Sequence, residues 1–584
     1  MTTSRFTRAL AAIVLGLSLI ARPGALRAQA GSGDAAFAAI AHAFYYDVSF
    51  PRDPVNATGS GVHTYDDSLG TYDAATVAER LATDDAYLGR VAAVDPTALS
   101  PEAAIDATIF ANSLRDDKLF YGELETWKHN PDFYVGLASG GVYAVIERAY
   151  APLPVRVRHA IARDFAIPAL LKSAEKNLTT VDAVTAKLAY DDAIGSEAFF
   201  TTTVPQAFAT LIDPTQKARL RAADTVARNA MAGYAAWIAA GPLKHPSGTY
   251  AIGPKIFAER LKYEEALDMP LDQYLQVGRD ALATTRAAFV TTAKTIDPTK
   301  TPQAVEASLG ATHPTVATLL PTAQTDLIAL RAFIVSHHIV TLPSDASIRV
   351  VPTPVFQRAT TFASMDSPGP LETVATQAYY NVTPIDATAP KAKQDQLLSF
   401  YNDYWLPLVS AHEVYPGHYV NYTIDKHLPL SLVRKLNWSS SFGEGWAHYD
   451  EQMMVDEGWG KGDPKVRLAQ LGGALLRECR FIVGIEEHTA GMSVEGGTQF
   501  FMHNAFMSRE AASKEALRGT QDPTYGYYTL GKLEILKLRS DMQKKLGPAY
   551  SLQAFHDMLL AHGDPPIPLL RPLLLGDADD GKVL

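Results

Sequence analysis

Two short stretches carry the residues able to do chemistry. Ala411 to Asn421 reads AHEVYPGHYVN and holds His412, Glu413 and His418. Glu444 to Tyr449 reads EGWAHY and adds a carboxylate 26 positions after His418. Two imidazoles, one carboxylate ligand and a spare carboxylate beside a ligand are what a hydrolytic zinc centre requires: three protein ligands, an open position for water and a base for that water. His412, His418 and Glu444 are therefore read as ligands, and Glu413 as the general base. Oxygen and imidazole donors suit zinc best, although cobalt, manganese and iron accept the same set.

The spacing constrains the elements beneath. Histidines that share an ion from one helix are four apart; these are six apart. Six residues of regular helix turn about 600° and rise about 9 Å, leaving His418 off the face of His412 and too far along it. Pro416-Gly417 lies between them. Proline breaks the hydrogen-bond ladder and glycine admits unusual backbone angles, so a bend there brings His418 back. A second helix over EGWAHYDEQMM places Glu444, His448 and Glu451 on one face. Glu451 lies about 10 Å beyond Glu444 and is expected to matter little to the metal. Asp450, offset by six from Glu444, should face away. His448 is either a partner that orients a ligand or an alternative ligand. Gly445 would let this helix approach the first one closely. The tryptophan and methionines of the segment read as core.

Upstream, apolar positions recur at helical spacing from Ala74 to Leu124, and Ser100-Pro101-Glu102 reads as a helix start. Amphipathic helices follow over 158–178, 183–200, 217–240, 263–293 and 314–335, with no fixed repeat. Two β-branched and aromatic runs, 348–352 and 376–382, predict a small sheet just ahead of the active-site helix. Residues 379–382 are either an edge strand that pairs with an extended substrate or a structural strand; periodicity does not separate the two. Residues 31–60 read as a loose lead-in, 392–546 as helical, and the Pro-rich tail from Gly563 as irregular.

The 584-residue chain is 47% hydrophobic and 20% charged, as a soluble globular protein is. A net charge of −11 argues against nucleic acid, whose binding needs a basic footprint. Residues 1–30 read as a signal peptide: Arg5 and Arg8, an apolar run from Ala9 to Ala21, then Ala28-Gln29-Ala30. Later residues contain no run of about 18 apolar residues, so no stable membrane insertion is expected after cleavage. The protein should be exported, to the periplasm or beyond. Cys479, the only cysteine, sits in an apolar helical pattern and reads as a core thiol. With no linker evident, residues 31–584 are taken as one helical zinc-metallopeptidase-like domain.

The chain resembles the bacterial family known as domain of unknown function 885, grouped with HExxH-type metallopeptidases. The family pattern HExxPGHH then EGWAxY is matched by HEVYPGHY and EGWAHY. Tyr419 stands where a second histidine is usual, which favours His418 as the ligand. Arg480 and His488 in RFIVGIEEH, and Tyr528, Gly531 and Arg539 in PTYGYYTLGKLEILKLR, resemble further family segments. Departures are Gly484 for an aspartate, Met492 for a tryptophan and Thr524-Tyr525 for Gln-Ala. The resemblance implies a large, mainly α fold with a deep cleft. Arg480 and Arg539, with His448, are expected behind the ligands. Tyr528 and His488 are candidate oxyanion donors, the alternatives being a packed aromatic and a helix-capping imidazole.

The expected function is hydrolysis of peptide bonds, in short peptides if the cleft is deep, by a metal-activated water with Glu413 as base. Two alternatives stay open: a metal-dependent amidase or esterase on a non-peptide substrate, and a catalytically silent peptide-binding protein.

Overall fold

Capping side chains and prolines punctuate the helices much as the sequence predicts. The structure, a computed structural model, describes residues 31–344, 348–354, 358 and 361–584. The signal peptide read over residues 1–30 lies outside the described residues. The lead-in is not loose. Helix α1 (Asp34–Phe44) buries Phe37, Ala41 and Phe44. Those residues fall on one helical face, a signal that the surrounding Gly, Ser and Asp obscure. Helix α2 (Pro101–Lys118) starts as expected: Ser100 accepts from the Ala103 N–H, and Pro101 takes the first turn, where no donor is needed.

An N-terminal group of helices, α3 (Pro131–Ile146), α4 (Leu153–Asn177), α5 (Ala183–Ala198) and α6 (Pro214–Ala240), packs around its own apolar cluster. Helix α7 (Leu271–Ile296) and helix α8 (Leu319–Ser336) lead to the sheet.

Strands β1 (Ile348–Pro352), β2 (Ala363–Asp366) and β3 (Ala378–Val382) form a three-stranded sheet in the order β1-β3-β2. β3 runs parallel to β1 and antiparallel to β2. Of the two readings of 379–382, the structural strand holds: both edges of β3 are paired, and Tyr380 and Val382 are fully buried. The edge strand beside the site is β2, whose sequence ASMD has too little β-propensity to stand out.

The C-terminal half is helical: α9 (Leu406–Glu413), α10 (His418–His427), α11 (Ser440–Asp456), α12 (Pro464–Thr489) and α13 (Tyr527–Leu546). The tail is not irregular. Helix α14 (Ile567–Leu575) buries Ile567, Leu570 and Leu575. Pro566 caps it and Pro568 occupies its first turn, where proline is tolerated. Helices α11 and α13 cross closely. A Cβ on Gly445 would stand 2.5 Å from the Gly531 Cα, and one on Gly531 only 1.6 Å from the Ser441 carbonyl oxygen. Gly445 therefore admits α13, not α9 as its sequence position suggested. Trp446, fully buried, and Met453 and Met454 are core residues as expected, and Cys479 is a buried thiol.

Candidate metal centre

The break between the two histidines is where the sequence requires it. Helix α9 ends at Glu413 and α10 begins at His418. The Gly417 N–H donates to the Ala411 carbonyl at 2.9 Å, folding the loop onto the end of α9. A Cβ at Gly417 would lie 1.8 Å from the His412 carbonyl oxygen, so no other residue fits without moving the loop. The Trp446 indole N–H donates to the Pro416 carbonyl at 3.1 Å and ties the loop to α11.

That geometry gathers three donors. The Nε2 atoms of His412 and His418 each lie 3.4 Å from Glu444 Oε2. The three residues offer ligand atoms that all lie within 4.8 Å of one another. Donors about 2.1 Å from a tetrahedral zinc stand about 3.4 Å apart, so the observed separations suit that ion. Glu444 Oε2 is buried and makes no hydrogen bond. A buried carboxylate oxygen without a donor is costly unless a cation meets it. Burial opposes the charge of His412, but its contacts with Glu444 and Glu451 outweigh it and push the pKa up to about 10. Burial would raise the Glu444 carboxyl, yet His418 and His412 hold it well below the carboxylate range. The residues fit a divalent ion held by two imidazoles and one carboxylate.

Glu451 has a role that sequence spacing hid. Its Oε1 lies 2.8 Å from His412 Nδ1 and 2.9 Å from Arg477. A carboxylate that accepts a hydrogen bond from Nδ1–H leaves the Nε2 lone pair free to bind an ion. Glu451 was expected to lie too far along α11 to matter. The imidazole spans the gap, meeting Glu444 with one nitrogen and Glu451 with the other. Arg477, one turn before Arg480 on α12, keeps Glu451 ionised against burial. The shared helical face of Glu444 and Glu451 was legible from their seven-residue spacing; the reach of the His412 ring from α9 across the rise between them was not.

His448 is neither a ligand nor a partner of one. It is fully buried, its Nδ1 is 3.5 Å from Glu451 Oε2, and neither ring nitrogen makes a hydrogen bond. Burial lowers its pKa to about 3, so the ring is neutral. Asp450 is buried with both oxygens unbonded, and burial holds its carboxyl well above the usual range.

Glu413 is fixed by the sheet. Its Oε2 accepts the Met365 backbone N–H at 2.8 Å, from the free edge of β2. Below it, the Tyr380 hydroxyl of β3 meets Ser410 Oγ of α9 at 3.1 Å. The β-sheet thus sets the angle of the helix that carries His412 and Glu413.

Tyr528 does reach the centre. Its ring lies 6.4 Å from the His412 ring, carried there by the α11–α13 crossing at Gly531, one turn on. Arg480 packs over the Tyr528 ring at 5.1 Å and pairs with Glu515 at 2.7 Å, so it braces the tyrosine rather than a ligand. His488 is not at the centre. Its Nε2 lies 2.8 Å from the Gly519 carbonyl oxygen, and burial lowers its pKa to about 4. Its place near the end of α12 carries it away from α9. Arg539 also falls elsewhere, pairing with the Tyr449 hydroxyl at 2.9 Å and Glu457 at 3.2 Å. Three turns of α13 separate it from Tyr528. Two departures from the family pattern touch: a Cβ on Gly484 would stand 2.8 Å from the Tyr525 ring, so the small residue makes room for the large one.

A recess of about 420 Å³ opens beside the three donors, with His418 and Glu444 in its wall. Among the described residues, no helix is long and apolar enough to cross a membrane.

Comparisons with known proteins agree with this architecture. A candidate lipoprotein of unknown function from Shewanella oneidensis is 25% identical, with a TM-score of 0.79, and the match covers 92% of this chain and 99% of that one. A candidate lipoprotein from Colwellia psychrerythraea is 18% identical, with a TM-score of 0.76 over 92% of this chain and 98% of its own. Among curated proteins, none matches the chain. The profile described as "Bacterial protein of unknown function (DUF885)" matches residues 54–574, and the chain belongs to that family.

Proposed function

We propose that the protein is an exported zinc-dependent peptidase. The observation that carries the reading is the convergence of His412, His418 and Glu444, with the Glu444 oxygen unbonded between two imidazole nitrogens at 3.4 Å. Zinc bound by this set supplies Lewis-acid polarisation of a carbonyl and a water made acidic enough to attack at neutral pH. The chain's own residues do the rest. Glu413, held by the Met365 N–H, accepts the proton of the attacking water and hands it to the leaving amine. Tyr528, whose ring lies 6.4 Å from the His412 ring and whose hydroxyl accepts from Arg518 at 3.5 Å, is the donor assigned to the oxygen on which charge develops. Glu451 fixes the His412 tautomer through Nδ1. The outer edge of β2, beyond the Met365 N–H that Glu413 occupies, offers an extended peptide a backbone to lie along, and the recess beside His418 and Glu444 takes its side groups.

An intact Glu413 beside the ligands opposes the silent-binder reading. Export rests on the signal sequence and on the candidate lipoproteins that share the fold. The test is turnover of a peptide library by the zinc-loaded protein, with and without a chelator. Cleavage that stops on chelation and returns with zinc is expected. Cleavage indifferent to chelation would overturn the reading.

A further inference from the structure

The recess beside the centre has an unusual wall. Asp425 on α10 and Asp564 just before α14 face it, with Asn421 one turn before Asp425. Asp564 and Asn421 are almost wholly buried, at 7% and 3% exposure. The Asn421 amide N–H donates to Asp564 Oδ1 at 2.9 Å, which leaves the Asn421 Oδ1 pointing elsewhere with no hydrogen-bond partner. Asp425 Oδ1 is also buried without a partner. The recess thus collects two acceptor oxygens that lack donors, beside the Asp564 carboxyl that Asn421 and Trp438 already meet, and such unmet groups are costly unless something donates to them.

The cations nearby do not answer this need. Arg434 lines the recess, but its guanidinium is taken by Glu102 at 3.1 Å, Asp106 at 2.8 Å and the His562 carbonyl. Lys426 is exposed and Lys435 partly so, where water screens their charge. Glu372, across the recess, is engaged by His63 at 3.0 Å. Burial, and then the charge of Asp564, hold the Asp425 carboxyl well above the ordinary range. Two buried carboxyls that disfavour each other's charge are relieved by a cation brought between them.

Two carboxyls and an amide oxygen also suit a hard cation such as Ca²⁺, which a comparison of free and acetylated amines tells apart from an ammonium. A primary ammonium fits: it brings three N–H donors to the two unmet oxygens and the Asp564 carboxyl, and a compact charge. The half-exposed indole of Trp438 adds an aromatic surface favourable to a cation. His418 and Glu444 stand in the same wall, so a group bound here lies next to the bond being cleaved.

We infer that Asn421, Asp425 and Asp564 form a subsite for the ammonium group of a peptide substrate, either its free N-terminus or a lysine side chain beside the scissile bond. The identity of the ligand rests on the peptidase reading; the subsite itself does not require turnover.

The test is a calorimetric titration of the zinc-loaded Glu413→Gln protein, in which cleavage is arrested, with a short free-amine alanyl peptide, its N-acetyl form, and N-acetyl peptides carrying lysine or norleucine. One arm of free amine against acetyl reads the N-terminus; the other, lysine against norleucine, reads the side chain. Removing the ammonium in the correct arm is expected to weaken binding about 10- to 100-fold, as losing charged hydrogen bonds does. Asp425→Asn, nearly isosteric, should abolish that difference while the uncharged peptide binds as before; Asp564→Asn is the second variant. Equal binding with and without the ammonium in both arms, or no binding of any peptide at millimolar concentration, overturns the inference. The wild-type protein is assayed with the same peptides. Cleavage without amine preference sinks the subsite and leaves the peptidase. Amine-dependent binding with no cleavage sinks the peptidase and leaves the subsite.

Discussion

Two histidines in this molecule are each bracketed by two carboxylates, and they do different things. His63 meets Asp66 with Nδ1 and Glu372 with Nε2, both at 3.0 Å, and stacks on the Tyr150 ring at 3.8 Å. His412 meets Glu451 with Nδ1 at 2.8 Å, but Glu444 lies 3.4 Å from its Nε2. At His63 both contacts are hydrogen bonds, and a proton on each nitrogen satisfies the pair. At His412 the second carboxylate stands back, shared with His418 at the same 3.4 Å, and its oxygen makes no hydrogen bond. One arrangement is closed around a proton and the other is open to an ion. The difference teaches that a histidine between two acids does not itself mark a metal site. A second imidazole stands at both places, since His159 Nδ1 lies 3.3 Å from the same Asp66 oxygen. What separates them is that this Asp66 oxygen is hydrogen-bonded to His63 at 3.0 Å, whereas the Glu444 oxygen stands 3.4 Å from both imidazoles and makes no hydrogen bond.

The sharpest way to break that comparison is to remove the shared carboxylate. Glu444→Ala should lose most bound zinc, and with it turnover, whereas His448→Ala should stay loaded; metal analysis of the purified variants decides. The reverse pattern would mean a three-histidine site. Glu413→Gln should keep its zinc and lose about 100-fold or more in rate, the usual share of a general base. Near-normal turnover would show that the Met365-bound carboxylate is structural.

Tyr528→Phe should lower kcat by about 100-fold if its hydroxyl meets the developing charge, as loss of an oxyanion donor does. His488→Ala should leave kcat unchanged, since that ring is bonded to the Gly519 carbonyl. Equal effects from the two would remove Tyr528 from the chemistry.

Glu451→Ala should weaken zinc by about 10- to 100-fold, measured by chelator competition, because His412 loses the acceptor for its Nδ1 proton. Unchanged affinity would mean that His412 needs no such partner.

Much of this was legible before the fold. The bend at Pro416-Gly417 follows from a six-residue spacing that no regular helix can reconcile with one ion, and the bend brings His418 beside His412 and Glu444. The helices follow from apolar periodicity and from caps such as Ser100. What escaped depends on distances between elements. Glu451 seemed remote along its own helix, because the reach of an imidazole on another helix cannot be read from spacing. The place of β3 in the centre of the sheet depends on β2, a four-residue strand with little propensity of its own. Gly445 signalled close approach, but its partner, Gly531, lies far along the chain.

The smallest effect tests the closed side of the comparison. Burial opposes the charge of His63, and its hydrogen bonds to Asp66 and Glu372 outweigh it, so its folded pKa lies above the ordinary value near ~6.5. A raised pKa stabilises the fold fully below that ordinary value, and the contribution fades as pH rises through the folded one. The melting temperature of His63→Gln should therefore fall furthest below wild type near pH 5–6, with the gap closing at alkaline pH, and its zinc content should match wild type. A gap that widens as pH rises, or a loss of zinc, would contradict the assignment.

The central claim is that His412, His418 and Glu444 hold a catalytic ion. The most direct measurement is the peptide-cleavage rate of the wild-type protein before chelation, after it and after zinc is restored, with metal content followed in the same samples. One zinc per chain, a rate that falls to background when it is removed, and recovery in proportion to the zinc rebound are the expected results. Cleavage that persists in the metal-free protein, or zinc that binds at one per chain without any cleavage, would contradict it.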